Sequence, residues 1–252
     1  MRTIWNGTGS AWSTRYGNAS ALIEAGGQRL LVDCGHTVPG RLLQMGLTLR
    51  DIDAVFISHL HGDHIYGLEE WGFKNLLLWN VKPKLLIAET LADALWTRVL
   101  AGTMAQVCDR SCVLSDYFHI IPMREGQSLT PGPWELEIHP VRHVPHALAY
   151  GLKVRSEGAT VGFTCDTVAP IDPWFYDDTH LVFHDCTFSP PFEETVHAHF
   201  DQLCLYPEAF RRKTMLVHYG DDVADFKADA AWQARFRVSE MRPAAPFVPF
   251  EF

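Results

Sequence analysis

The chain has 252 residues, 47% of them hydrophobic, and its 21 Lys plus Arg stand against 30 Asp plus Glu for a formal net charge of −9. This apolar share suffices for a substantial core in one domain spanning residues 1–252. The acidic balance disfavours a broad phosphate-binding surface for long nucleic acid, although a small anion can still be drawn to a cationic site. No stretch reaches the ~18 apolar residues that span a bilayer, and the first residues lack the apolar run of a signal peptide, so no membrane partner and a cytoplasmic location are expected. Six scattered cysteines (Cys34, Cys108, Cys112, Cys165, Cys186, Cys204) form no Cys-x-x-Cys pair and read as reduced thiols. Cys108 and Cys112 are expected as buried thiols on one element.

Taken in chain order, strands are predicted near 19–24 and 29–33, separated by Gly26-Gly27, then a helix after Thr37, a strand at 53–57 and a helix over about 66–78. A strand at 84–88 leads into a helix from Leu91 to Leu100, and a less periodic stretch runs on to Ile121. Apolar or alternating runs at 134–142, 148–155, 159–164 and 180–185 suggest a second sheet. Helices at 201–212 and 224–235 surround a final strand at 214–218. Strands and helices mix throughout without a repeat, a pattern of α/β or α+β class.

The run Ser58-His59-Leu60-His61-Gly62-Asp63-His64 follows the apolar stretch Ala54-Val55-Phe56-Ile57 and crowds three imidazoles and a carboxylate into one turn. Imidazole with carboxylate suits a borderline ion such as zinc, whereas magnesium or calcium prefers oxygen alone. At a strand end His59 and His61 point to one side, Gly62 permits a sharp turn, and Asp63 and His64 arrive from that turn, so two ions could sit side by side.

The segment His61 to His64 with its preceding His59 resembles the HxHxDH signature of the metallo-β-lactamase-fold hydrolases. Further matches follow in order: Val141-Arg-His143, then Tyr150-Gly151, Phe163-Thr-Cys-Asp166 and Leu216-Val-His218. The resemblance implies an αββα sandwich of two mixed sheets flanked by helices. It also implies two zinc ions per chain, with manganese or iron as alternatives. His59, His61 and His143 would hold the first ion, Asp63, His64 and His218 the second, and Asp166 would bridge them. His146 competes with His143, and the interval to Tyr150-Gly151 favours His143. Asp33 corresponds to a carboxylate that orients a ligand imidazole, and it can also be read as a turn-forming residue before Gly35.

Fold does not give function, so the branch is argued from the site. Asp166 stands where several lactamases place a cysteine. His184-Asp185-Cys-Thr-Phe188 resembles the HEATF-like motif of the tRNase Z group, with Asp185 in place of glutamate, and Val196-His197-Ala-His199 resembles that group's HST motif. The resemblance implies that His197, backed by Asp185, protonates a departing alkoxide while Asp63 serves the metal site; His199 competes for the donor role. The long arm that grips tRNA in that group has no room between His143 and Asp166. The motifs look most similar to compact cyclic-nucleotide phosphodiesterases of anti-Pycsar type. A small phosphodiester, foremost a cyclic mononucleotide, is therefore the expected substrate, acted on in a bacterial or phage-infected host cytoplasm. A tRNase Z-like nuclease, an arylsulfatase or a lactonase of the same fold are the alternatives, and a non-catalytic nucleotide sponge is a remote one.

Trp12, Tyr16, Tyr150 and Phe188 lie near motif loops, where an aromatic can stack on a base or simply fill core. Tyr150, Phe188 and His199 are carried forward as substrate contacts. His36, His119, His139, His180 and His184 have no motif support and read as structural. The resemblance further implies a homodimer, for which Leu91 to Ile121, rich in Leu, Trp and Met, is the candidate interface unless it is an ordinary core segment.

Overall fold

Runs such as Ala54–Ile57, buried at every position, belong to sheets covered on both faces. The computed structural model describes residues 1–189 and 196–252. Its first strands are β1 (Arg2–Gly7), β2 (Ser20–Ala25), β3 (Gln28–Val32), β4 (Ala54–Ile57) and β5 (Lys84–Ala88). A short hairpin of β6 (Gln106–Val107) and β7 (Arg110–Ser111) stands apart. There follow β8 (His119–Met123), β9 (Glu135–Val141), β10 (Ala149–Ser156), β11 (Ala159–Phe163), β12 (Leu181–Asp185), β13 (Thr214–Val217), β14 (Arg242–Pro243) and β15 (Pro249–Glu251). One sheet has the order β15-β1-β2-β3-β4-β5-β8, the other β14-β13-β12-β11-β10-β9.

The period-2 geometry of strands divides their side chains between two cores. Phe183 of β12 and Met215 and Val217 of β13 join the large cluster that both sheets share, whereas Val182 and Leu216 face a second cluster under the C-terminal helices. Trp5 of β1 meets Phe163 and Phe183 across the sheets, with ring centroids 6.0 and 5.2 Å apart. Helices cover both outer faces, and the layers run αββα. Among the described residues no helix is long and apolar enough to cross a membrane.

Strands β3, β4 and β5 are parallel, as are β11, β12 and β13. Parallel strands end on one edge, the usual place for a ligand in such sheets. Asp33 follows β3, the His59–His64 turn follows β4, Asp166 follows β11, Asp185 closes β12 and His218 follows β13.

The structure departs from the expected helices at identifiable residues. The element expected over 66–78 is an α-helix Gly67–Lys74 that widens into a π-turn Asn75–Trp79, ended by Asn80 at φ 52°. The helix expected over 201–212 is split into Phe200–Leu203 and Glu208–Arg212, because Pro207 lacks the N–H that a continuous helix needs. The one expected over 224–235 breaks at Asp229, which turns extended and caps Ala230–Ser239 through the Trp232 N–H. In the candidate interface segment, Leu91, Leu95, Leu100 and Met104 are committed to the core. Cys108 is exposed at the tip of the β6–β7 hairpin rather than buried beside Cys112.

Candidate metal centre

His61, in extended backbone beyond β4, directly precedes the helix Gly62–Ile65, whose first turn carries Asp63 and His64. Gly35 lets the turn after Asp33 lie against this helix, since a Cβ there would collide with the Asp63 carbonyl. The Asp166 carboxylate lies at the centre. Its Oδ2 is 3.2 Å from His218 Nε2, 3.3 Å from His64 Nε2 and 3.8 Å from both His59 Nε2 and His143 Nε2. Asp63 Oδ2 is 3.2 Å from His64 Nε2 and 3.4 Å from His218 Nε2. Two groups result, His59, His61, His143 and Asp166, and Asp63, His64, Asp166 and His218. Within each group the ligand atoms lie within 4.8 Å of one another.

These donors fit metal ions on the geometry alone. Buried polar atoms are normally hydrogen-bonded, yet His59 Nε2 is buried without a hydrogen bond, and His64 Nε2 faces the Asp63 and Asp166 carboxylates without hydrogen-bond geometry to either. His143 Nδ1 donates to the Val196 carbonyl at 2.8 Å, which turns its Nε2 toward His61 Nδ1 at 3.0 Å. A shared cation can take the place of the hydrogen bond between two imidazole nitrogens that close. Nitrogen and carboxylate oxygen in these proportions suit a transition ion rather than magnesium or calcium.

A carboxylate behind the cluster sets the tautomers. Asp33 accepts from Ser58 N at 2.8 Å, Ser58 Oγ at 2.7 Å and His64 Nδ1 at 2.8 Å. Because the Ser58 hydroxyl proton goes to Asp33, its oxygen accepts from His59 Nδ1, 3.0 Å away. Both rings thereby carry their N–H on Nδ1 and leave Nε2 facing the centre. Sequence reasoning found Asp33 but gave Ser58 no role; the available signal was a polar residue directly before His59 at the end of an apolar strand.

Electrostatics divide the two groups. Burial, reinforced by the neighbouring His64, pushes His59 well below the usual imidazole range, and burial likewise lowers His61 and His143. For His64, burial is outweighed by Asp166 and Asp33, which hold it well above that range; for His218, Asp166 and Asp185 overcome burial and push it up to about 10. Burial works against ionised Asp63, but hydrogen bonds from His218 and His64 keep its carboxyl low. Asp166 also overcomes burial, through His218 and His64. An ion in the second group would take the place of protons on His64 and His218.

Beside the second group stands Asp185, fully buried, whose Oδ2 accepts from Thr167 N and His197 Nδ1, each at 2.8 Å. Its Oδ1 is 3.5 Å from His218 Nδ1, so one carboxylate backs both rings, a reach toward His218 that the motif did not reveal. The His197 ring lies 4.6 Å from that of His218 and 5.1 Å from that of His143. Burial disfavours the His197 cation, yet Asp185 outweighs it and raises the ring's pKa.

Other sequence candidates fall elsewhere. His199 sits at the start of Phe200–Leu203, where its Nδ1 accepts from Asp201 N and its N–H donates to Gln202; it joins none of the metal groups. That capping explains its ring orientation without a substrate. Phe188 is packed among Phe200, Phe226, Trp232 and Phe236, which leaves the ring no open face for a base. Tyr150 is buried, its hydroxyl paired with Thr90 Oγ1 at 2.8 Å. Tyr16 packs edge-on against Tyr219, while Trp12 is 90% exposed. His146 is exposed at φ 64° and lies outside the metal groups. His184 is buried, with Nδ1 donating to the Asp185 carbonyl.

Comparison with known proteins agrees with this geometry. Over its whole length the chain is similar to the metallo-β-lactamase fold protein YhfI from Bacillus subtilis, with TM-score 0.78, 19% identity and coverage of 100% of this chain and 99% of that one. The fold is the metallo-β-lactamase fold. An anti-Pycsar protein Apyc1 from Paenibacillus harenae is 36% identical over 226 residues, 88% of this chain and 90% of that protein. Another from Bacillus phage 010DV004 is 36% identical over 240 residues, 90% of this chain and 91% of that protein. The family model described as anti-Pycsar protein Apyc1 matches residues 1–239, and the chain belongs to that family.

Proposed function

We propose that this protein is a metal-dependent phosphodiesterase that opens 3′,5′-cyclic mononucleotides to nucleoside monophosphates, using two zinc ions per chain. The observation that carries the reading is the buried Asp185 holding His197 beside the two His/Asp groups. His59, His61 and His143 would hold one ion, Asp63, His64 and His218 the other, and Asp166 would serve both; manganese or iron(II) suits the same donors. When bound, such ions supply Lewis acidity to a phosphoryl group and acidify water.

The chain's own groups supply the rest. Asp33 and Ser58 fix the tautomers of His64 and His59. Asp63 stays ionised, a ligand and an acceptor for the proton of the attacking water. His197, whose pKa Asp185 raises, delivers a proton to the departing ribose oxygen, a poor leaving group as alkoxide, and such a donor typically contributes ~10²–10⁴-fold. Asp185 keeps that ring in place and stabilises its charge.

Membership of a family named for opposing Pycsar, a nucleotide-signalling immunity, supports a cyclic nucleotide and a cytoplasmic site of action in a bacterium or infected host. A tRNase Z-like activity is disfavoured because β10 and β11, joined at Glu157-Gly158, fill the interval between His143 and Asp166 where an RNA-gripping arm would need to emerge. A lactonase or arylsulfatase has less need of the His197–Asp185 pair, and a sponge has none. The reading includes a homodimer, and light scattering that gives a monomer mass across micromolar concentrations contradicts that part. The substrate is tested by incubating the protein with a panel of cyclic mononucleotides and identifying products by mass spectrometry. Linear monophosphates, lost on chelation, are expected; intact cyclic nucleotides beside turnover of a precursor tRNA, aryl sulfate or lactone overturn the proposal.

A further inference from the structure

The proposed chemistry assigns no residue to the nucleobase, and among the described residues exposed aromatic rings stand near the metal-bearing edge at Trp12 and at Tyr66, whose ring lies against Gly62. The loop between β1 and β2 runs along the turn that carries His218. His218 N donates to the Thr8 carbonyl at 2.8 Å, and Ser10 N donates to the Tyr219 carbonyl at 3.0 Å. Trp12 follows two residues later, so its Cα lies within about 7 Å of that of Ser10, which is paired to the neighbour of His218. Its indole is 90% exposed, whereas Tyr16, at the foot of the same loop, is packed against Tyr219 with centroids 5.2 Å apart.

The loop is held rather than loose. Asp221, three residues beyond His218, accepts from Ser13 Oγ at 2.5 Å, Thr14 Oγ1 at 2.8 Å, Thr14 N at 3.0 Å and Arg15 N at 3.1 Å. Gly9 allows the loop to fold back on itself, since a Cβ there would collide with Ser13. A carboxylate that gathers four donors from three consecutive residues fixes the backbone on which Trp12 stands. Fixing this backbone while leaving the Trp12 ring bare brings no folding benefit from the ring itself, because the indole gives up no water. It does present a face on which a base can stack without the loop backbone having to order at binding.

We infer that Trp12 is the base-stacking residue of the site and that Asp221 is its positioning residue; this rests on the cyclic-nucleotide reading. Stacking on an aromatic is tolerant of base identity, so Trp12 would give affinity for nucleotides as a class.

The test compares wild type, Trp12→Ala, Trp12→Phe, Asp221→Ala and the control Trp174→Ala, whose ring is exposed on the Pro173–Tyr176 turn, away from the metal-bearing edge. Each is assayed with 3′,5′-cyclic AMP and with the base-free ribose 3′,5′-cyclic phosphate, and cyclic AMP binding is measured by calorimetry. Trp12→Ala should raise KM and Kd for cyclic AMP about tenfold with kcat little altered, and should shift KM for the base-free ester less than twofold. Trp12→Phe should recover most of the loss, Asp221→Ala should follow Trp12→Ala, and Trp174→Ala should match wild type. An unchanged KM in Trp12→Ala, an equal loss on the base-free ester, or a change of oligomeric mass in Trp12→Ala overturns the inference. Failure of metal-loaded wild type to bind or open either ester refutes the functional reading itself, a result distinct from any pattern among the variants.

Discussion

Replacing Asp33 by asparagine removes one charge and should disable both metal groups without touching a ligand. The asparagine oxygen can keep the bond from Ser58 N, but its NH₂ then faces His64 Nδ1 and Ser58 Oγ, the atoms that now donate to the carboxylate. His64 Nδ1 must become an acceptor, which leaves the ring's one proton on Nε2, the atom aimed at Asp63 and Asp166. Ser58 Oγ, now accepting a hydrogen bond from the amide, donates to His59 Nδ1 and moves that ring's proton to Nε2 as well. A protonated nitrogen has no lone pair for a metal. Losing such an outer partner typically costs ~10–100-fold in metal affinity, about 1.4–2.8 kcal/mol. The metal-free protein should lose about 2 kcal/mol from its weakened charged hydrogen bonds. Competition against a chelating dye reads the affinity, and long-range ¹H–¹⁵N spectra read which ring nitrogen is protonated. Affinity within twofold of wild type, with Nε2 of His59 unprotonated, would refute this tautomer argument.

His197→Ala should keep its metals yet lose ~10²–10⁴-fold in turnover of a cyclic nucleotide, while a nitrophenyl phosphodiester, whose leaving group needs little protonation, should lose far less. Equal losses on the two esters would mean that His197 positions phosphate or supports the fold. Phe188→Ala should destabilise by ~3–5 kcal/mol in urea unfolding, since the ring fills an aromatic cluster, with KM little changed; a large KM effect at normal stability would return Phe188 to the substrate. Metal binding near pH 7 should release protons, because His64 and His218 are held above the usual range and must each lose a proton to become ligands. Affinity should therefore rise as pH increases through 6 to 8, and calorimetry in buffers of different ionisation enthalpy gives the proton count. Binding independent of pH across that window would contradict this electrostatic picture.

The candidate centre was legible in the sequence because the proposed metal ligation demands particular atoms at strand ends. His59, His61, Asp63, His64, His143, Asp166 and His218 announce themselves by type and order, and the structure brings them into two groups sharing Asp166. Strand periodicity at 53–57, 84–88 and 214–218 was readable because those runs are fully or nearly fully apolar. Helix lengths were not, since Pro207 and Asp229 interrupt helices that their flanking apolar residues favour. β1 and β15 escaped notice because Arg2–Gly7 ends in Asn-Gly and Pro249–Glu251 is only three residues long, so neither carries a decisive alternation. The tautomer-setting chain from Asp33 through Ser58 and the double reach of Asp185 depend on contacts between residues 12 to 33 positions apart. No local spacing encodes such contacts. Aromatics near motifs were the hardest to assign, because Phe188 in a core and Trp12 in solvent look alike in a one-dimensional string.

The most direct measurement is a metal titration of chelator-stripped protein, with hydrolysis of 3′,5′-cyclic AMP followed at each addition. Activity should be absent without metal, climb with added zinc and reach its plateau at about two equivalents per chain, with elemental analysis of the active protein returning the same ratio. Full activity in metal-free protein, or a plateau at one equivalent with only one ion bound, would contradict a dinuclear phosphodiesterase.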